Sequence, residues 1–274
     1  MEKVSVIIPT YNRADTIYQS IKSVLDQTYQ NLEVWVIDDA STDDTARVVE
    51  EIKDPRVHYF LQEHNGGAAK ARNTGVEFSD AEWIAFHDSD DVWRPDKLKK
   101  QMAYAKEHPE YDLIYGAYLL HPVNGAAIHV PVDMPKDLLS GDMYRTLLAG
   151  NVIGAPVILM KREVFLEAGG FDTTWECLED WDFVVRVSKS HLIGYVDEVL
   201  LDAYQSPGSV SSNVGGYYNC RCRLIAGHRQ EMEQMGIFDG VVMDLFSKAQ
   251  KAGILEIVQK MLMQHLAGTS LDRA

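Results

Sequence analysis

The chain has 274 residues, 46% hydrophobic and 24% charged, with 26 Lys and Arg against 41 Asp and Glu and a formal net charge of −15. This is the composition of a folded globular protein, not of a disordered one. The acidic excess argues against a nucleic-acid binder, whose affinity comes from basic residues displacing counterions from phosphates, and it disfavours an anionic membrane surface.

Val4-Ser5-Val6-Ile7-Ile8 is a β-branched run stopped by Pro9, and Ile17, Ile21, Val24 and Leu25 recur at helical spacing, so a strand and then a helix over 15–25 are predicted. The unit repeats, with strands over 32–37, 57–61 and 83–86 and helices over 42–52, 68–78 and 95–106. Such alternation implies a parallel sheet covered on both faces, and sheets of this kind bind ligands beyond the carboxyl ends of their strands. Past about residue 110 the pattern weakens to strands over 113–119 and 155–160 and helices over 137–148 and 179–190, read as an extension of the same sheet. Residues 206–216, rich in Gly and Ser, read as a loop, a plain surface loop being the commoner reading and a mobile lid the other. Helices are predicted over 217–235 and 240–267, and the apolar face of the last suits packing or self-association better than membrane contact, because its polar face lacks dense Lys and Arg.

No apolar run approaches the roughly 20 residues of a spanning helix. The first residues lack the pattern of a signal peptide, so the expected location is cytoplasmic, with peripheral membrane contact as a lesser alternative. Cys177, Cys220 and Cys222 are too sparse for a disulfide framework, and Cys220-Arg221-Cys222 lacks zinc-site spacing; buried or incidental thiols are expected.

Polar groups fall where the predicted strands end: Thr10-Tyr11-Asn12, Asp38-Asp39, His64-Asn65-Gly66-Gly67 and Asp88-Ser89-Asp90-Asp91. In a parallel sheet all of them share one edge. The carboxylates of Asp88, Asp90 and Asp91 repel one another, which suits a hard divalent cation completed by water and phosphate oxygens; a solvated acidic turn is the plain alternative. Asp38 and Asp39 close a strand where a carboxylate accepts hydrogen bonds from a nucleobase or ribose, whereas Ser41 or Thr42 caps the next helix. The turn from Asn65 to Gly67, leading to Lys70 and Arg72 on the first turns of a helix, suits an anion, although neither a dinucleotide fingerprint nor a Gly-Lys-Ser/Thr phosphate loop occurs.

Taken together, Val4-Ser5-Val6-Ile7-Ile8-Pro9-Thr10-Tyr11-Asn12, Ser20-Ile21-Lys22-Ser23-Val24-Leu25-Asp26-Gln27-Thr28, Val36-Ile37-Asp38-Asp39-Ala40-Ser41, Asn65-Gly66-Gly67 with Ala71-Arg72-Asn73, and Asp88-Ser89-Asp90-Asp91 resemble a family 2 glycosyltransferase of the GT-A fold. The resemblance runs in order over about residues 3–100. It implies an α/β fold with a nucleotide-binding, mostly parallel central sheet flanked by helices. The expected domain covers 1–215, its nucleotide-binding half about 1–110 and its acceptor half about 111–215, with a C-terminal helical extension over 216–274. It also implies inverting, non-processive transfer of a sugar from a nucleotide-diphosphate donor, a UDP-sugar by preference, to a hydroxyl of a glycan, lipid-linked or other acceptor in polysaccharide biosynthesis. By this resemblance Thr10 and Tyr11 line the nucleotide pocket, Asp39 bonds the base, Lys70 and Arg72 contribute to nucleotide binding, Asp88 lies near the ribose, and Asp90 with Asp88 holds Mn²⁺ or Mg²⁺.

Leu178-Glu179-Asp180-Trp181, preceded by Gly169-Gly170-Phe171-Asp172, matches the family's Glu-Asp pair at a helix start. Asp180 is assigned the role of base, and Trp175, Glu179 and Trp181 are assigned sugar or acceptor contacts, with burial of the indoles as the alternative. One feature departs from the pattern: Ala203-Tyr204-Gln205-Ser206-Pro207-Gly208-Ser209 carries neither the Arg nor the His that many relatives place there, which leaves Arg221 or Arg223 as substitutes, or a nucleotide-sugar-binding module without catalysis. A receiver-type phosphoacceptor domain is the remaining alternative, prompted by Val36-Ile37-Asp38-Asp39.

Overall fold

The computed structural model describes residues 2–205 and 213–271. Strand β1 (Val4–Thr10) is buried along its whole length between parallel neighbours β2 (Leu32–Asp38) and β4 (Trp83–Phe86), and β3 (Val57–Leu61) pairs in parallel beyond β2. A strand covered on both faces needs apolar side chains without alternation, which is the pattern of Val6, Ile7 and Ile8. Pro9 is tolerated within this sheet because β4 pairs with β1 only as far as Ile7 opposite Phe86, so the N–H that proline lacks would have met no strand on that side. Helices α1 (Ile17–Leu25), α2 (Thr45–Glu50), α3 (Gly67–Phe78) and α4 (Lys97–Glu107) follow the strands in turn; α1 buries Ile17, Ile21, Val24 and Leu25.

Beyond β4 the sheet becomes mixed. A two-residue strand β5 (Val92–Trp93) precedes the long β6 (Tyr111–His121), which pairs with the short β7 (Ile128–Val130). Then come β8 (Leu159–Lys161) and β9 (Leu192–Tyr204). The order is β3-β2-β1-β4-β8-β6-β9-β5, with β7 beside β6. Strand β8 is antiparallel to both β4 and β6, whereas β6 and β9 are parallel. Residues 87–91 therefore cross from β4, at the end of the parallel half, to β5 on the far edge, and the acidic turn spans the mouth between the two halves.

Four predicted segments change. The helix over 137–148 is a 3-10 turn at Lys136–Leu138 and a shorter α5 (Tyr144–Ala149), separated by Gly141 with φ 93°. The strand over 155–160 begins as a 3-10 turn, Ala155–Val157, with Pro156 in its first turn. After α6 (Arg162–Glu167) and α7 (Glu179–Ser188), the helix over 217–235 is α8 (Val214–Gly227) and α9 (Arg229–Gln234), broken at His228. The helix over 240–267 is α10 (Phe238–Lys251) and α11 (Leu255–Leu271), separated by Gly253 in the left-handed region (φ 73°), a usual helix stop. The loop over 206–216 lies outside the described residues from 206 to 212. All three cysteines are buried free thiols. Among the described residues, no helix is long and apolar enough to cross a membrane.

Candidate active site

Because β1, β2, β3 and β4 are parallel, the loops that follow them share one rim. The loop after β1 is stitched to the loop after β2: Asn12 N–H donates to Ser41 Oγ (2.8 Å), Thr42 N–H to Asn12 Oδ1 (2.8 Å), Arg13 N–H to Thr45 Oγ1 (2.8 Å), and Ala14 N–H to Asp43 Oδ2 (3.1 Å). These bonds hold Asn12 (φ 50°) and Ala40 (φ 66°) in the left-handed region, where each residue costs roughly 1–3 kcal/mol unless its surroundings enforce it. Such rigidity presents Thr10 and Tyr11 at a fixed edge. Thr10 is 3% exposed and among the described residues its Oγ1 has no hydrogen-bond partner, whereas Tyr11 is 44% exposed.

Asp38 and Asp39 divide their duties. Asp38 is fully buried and accepts from Ser41 N–H (2.7 Å) and the Tyr59 hydroxyl (2.8 Å), a structural role. Asp39 accepts from Gln62 Nε2 (2.6 Å), Gly66 N–H (2.8 Å) and Gly67 N–H (2.7 Å), and so fixes the turn into α3. Gly67 sits at φ 84°, a conformation that favours glycine. The Asn65-Gly66-Gly67 turn thus closes on a carboxylate of the protein itself. Lys70 is exposed, and its stem lies against Gly66, where a Cβ would fall 2.4 Å from Lys70 Cδ.

The turn after β4 gathers the acidic groups. His87 beneath it is fully buried, tilted against Trp93 with ring centroids 4.8 Å apart; burial and then the charge of Lys97 push its imidazole down to about 3, so it stays neutral. Asp88 Oδ1 accepts from Arg72 Nη2 (2.8 Å), and Asp90 Oδ2 lies 3.6 Å from Arg13 Nε. Asp91 is buried and accepts Tyr204 N–H (3.0 Å), tying the end of β9 to the rim; burial and then the charge of Asp88 hold its carboxyl well above the usual range. Among the described residues no group of three or more His, Cys, Asp or Glu is arranged as a complete metal site. Asp88 and Asp90 nevertheless fit a hard divalent ion, because both are carboxylate oxygen donors with partial access on one short turn.

Arg72 joins the two halves. Its guanidinium is buried and donates to Asp88 on one side and to Glu179 Oε1 (2.7 Å) on the other; burial opposes its charge, but the two carboxylates outweigh that and raise its pKa. Glu179 opens α7, and the preceding Leu178 has φ 61°, a left-handed conformation unusual for leucine. Asp180 follows, partly accessible, with Oδ1 accepting Trp181 N–H (2.7 Å) and Oδ2 accepting Ala155 N–H (3.2 Å). Burial, and then the charge of Glu179, lift its carboxyl to about 7; Arg72 and the two amides pull the other way. A carboxyl poised near neutrality is suited to taking a proton.

The indole assignments are corrected by burial. Trp181 is 4% exposed, donates its ring N–H to the Leu147 carbonyl (2.7 Å), and has the Arg221 guanidinium 5.8 Å from its centroid. Trp175 is also buried, donating to Asp172 Oδ2 (3.1 Å) with the Arg223 guanidinium 4.3 Å from its centroid. Both rings are packing groups. Nor are the two arginines free to replace the missing late-loop cations: Arg221 is buried and paired with Asp244, and Arg223 is paired with Asp172 and Thr174. Glu179 is engaged by Arg72. Tyr118 and Gly154, which no motif marks, stand beside Asp180.

A parallel strand-helix half continued by a mixed half, in the order observed, is the fold of GT-A glycosyltransferases. Residues 5–165 match Glycosyl transferase family 2, and the chain belongs to that family. It is 33% identical over 212 residues to the Escherichia coli UDP-Glc:alpha-D-GlcNAc-diphosphoundecaprenol beta-1,3-glucosyltransferase WfgD, covering 77% of this chain and 80% of that one. It is 34% identical over 184 residues to an uncharacterized glycosyltransferase of Haemophilus influenzae, covering 67% of this chain and 61% of the relative's length. Staphylococcus aureus TarS 1–349 in complex with UDP superposes with a TM-score of 0.62 at 27% identity, over 82% of this chain and 64% of that one. The receiver reading falls with the topology, since Asp38 and Asp39 close the second strand and Asp38 is wholly engaged inside the fold.

Proposed function

We propose that the chain transfers a sugar from a UDP-sugar to a hydroxyl of a glycan or lipid-linked acceptor, with inversion at the anomeric carbon, in polysaccharide biosynthesis. Residues 1–215 form the catalytic domain and 216–274 a helical extension. The observation that carries the reading is the pairing of two opposed carboxylate sites through one buried cation: Asp88 at the nucleotide rim and Glu179, beside Asp180, both bind Arg72. The UDP complex of TarS supports the donor, and the name of WfgD supports both a UDP-sugar and a lipid-linked acceptor.

In this mechanism Thr10, whose buried hydroxyl has no partner among the described residues, and Tyr11 bind the nucleoside, while Asp39 holds the Gly66-Gly67 turn beside it. Asp88 and Asp90 would hold Mn²⁺ or Mg²⁺, which when bound stabilises charge on the departing diphosphate. Asp180 takes the acceptor proton on the face opposite the leaving group, as inversion requires. Arg72 holds Glu179 and offsets part of the charge that would otherwise keep Asp180 protonated.

A panel of nucleotide-sugars, with an N-acetylglucosamine diphosphate carrying a long alkyl chain as acceptor, tests the reading by UDP release and by the anomeric configuration of the product. Release from a UDP-sugar with inverted product is expected. Release from no UDP-sugar, or a product of retained configuration, overturns it.

A further inference from the structure

We propose that Tyr118 and Gly154 complete the acceptor pocket: the Tyr118 hydroxyl orients the attacking hydroxyl against Asp180, and Gly154 leaves the space that hydroxyl occupies. The proposal rests on Asp180 being the base and adds two residues from the second half of the fold. Tyr118 lies in β6, opposite Val130 of β7 and Leu201 of β9, just past an irregularity in pairing at Ala117. Its ring is partly buried against the core. Burial, and then the charges of Asp180, Asp91 and Asp88 in that order, push the phenol up, so it remains an O–H donor. Among the described residues its hydroxyl has no hydrogen-bond partner.

Gly154 shows where the room is. A Cβ built there lies 3.9 Å from Asp180 Oδ2 and 3.9 Å from the Tyr118 hydroxyl oxygen. Those two oxygens are therefore separated by no more than twice that distance, and a hydroxyl bonded to both spans about 5.5 Å. Gly154 itself has φ −78° and ψ 153°, which any residue adopts, and its nearest neighbour, Pro156 Cδ, would be 3.6 Å from the Cβ. Neither backbone nor packing asks for glycine here. What the missing side chain does is keep the gap between base and phenol open.

The step balances within this geometry. The acceptor hydroxyl donates its proton to Asp180 Oδ2, whose other acceptor position is taken by Ala155 N–H, and accepts from Tyr118, which keeps its own proton. Its remaining lone pair forms the bond to the anomeric carbon, while the bond to the diphosphate oxygen breaks and its electron pair leaves with UDP.

Tyr118→Phe and Gly154→Ala test the pocket, with UDP-glucose and UDP-N-acetylglucosamine as donors and either water or the alkyl-linked N-acetylglucosamine diphosphate as acceptor. For Tyr118→Phe, kcat should fall about 10–100-fold, the loss of one hydrogen bond to a reacting group, with UDP affinity, donor KM and melting temperature unchanged. For Gly154→Ala, transfer to the sugar acceptor should fall while hydrolysis by water persists, because a methyl narrows the gap without filling it. Wild-type turnover by Tyr118→Phe, or equal transfer and hydrolysis losses in Gly154→Ala, overturns the pocket but leaves the proposed function standing. A wild-type chain that releases UDP from no UDP-sugar of the donor panel overturns both.

Discussion

Replacing Asp180 by Asn separates the cost of a buried carboxylate from its use. The wild-type carboxyl is lifted from the ordinary 3.8 to about 7, chiefly by burial. A folded-state pKa above the unfolded one means that the stabilising contribution is complete below pH 4 and is lost as pH rises through 7. Between pH 5 and pH 8 a displacement of this size removes about 3 kcal/mol, at about 1.4 kcal/mol per pKa unit; partial access of Asp180 to solvent reduces it to roughly 1–2 kcal/mol. The Asp180→Asn variant has no such dependence. It does lose one of the bonds from Trp181 N–H and Ala155 N–H, but that loss is the same at every pH. The melting temperature of wild type relative to Asp180→Asn should therefore fall by roughly 2–8 °C from pH 5 to pH 8. Over the same range wild-type turnover should rise with a limb near 7, and the variant should turn over about 10²–10⁴-fold more slowly. Differential scanning fluorimetry and a pH profile of UDP release give both readouts. A melting difference that does not change with pH, or a variant as active as wild type, refutes the reasoning.

Arg72→Met leaves Asp88 and Glu179 without their shared cation, and removing one member of a buried ion pair costs about 3–5 kcal/mol, or roughly 6–20 °C in melting temperature. Because Arg72 lowers the Asp180 pKa, the acid limb of activity should also move to higher pH; a melting temperature within 2 °C of wild type, as read by fluorimetry with an error of about that size, contradicts the bridge. Thr10→Val replaces a buried hydroxyl that has no partner among the described residues, so stability should hold or rise, while UDP affinity by calorimetry falls about 3–10-fold; an unchanged affinity removes Thr10 from the pocket.

The parallel half was legible because β1 and β4, buried along their length, and most of β2 carry apolar runs with few polar residues, and α1 between β1 and β2 has a clear apolar stripe. Strand β9 escaped because Gly194, Asp197, Glu198 and Asp202 interrupt its pattern and its pairing with β6 shifts register at Gly116 and Ala117. Two-residue β5 and three-residue β7 are too short to show a period. Within the site, the carboxylates stood out because acidic clusters at strand ends are conspicuous in any sequence. Trp181 misled because a tryptophan beside a motif looks alike whether it faces a sugar or bonds Leu147. Tyr118 and Gly154 were silent because only the tertiary fold brings β6 and the turn before Ala155 to Asp180. Asp39 was visible as an acid, but its bonds to Gly66 and Gly67 arise from strand-to-strand placement that local sequence does not encode.

Central to the proposed function is an acidic rim that grips a nucleotide diphosphate through a divalent ion. Calorimetric titration of UDP into wild type and Asp90→Ala, each with Mn²⁺ and with chelator, tests this most directly. Binding by wild type that disappears on chelation, and an Asp90→Ala variant that gains nothing from Mn²⁺, are the predicted results. Equal UDP affinity with and without Mn²⁺ in wild type, or an Asp90→Ala variant that keeps the Mn²⁺ dependence, would contradict it.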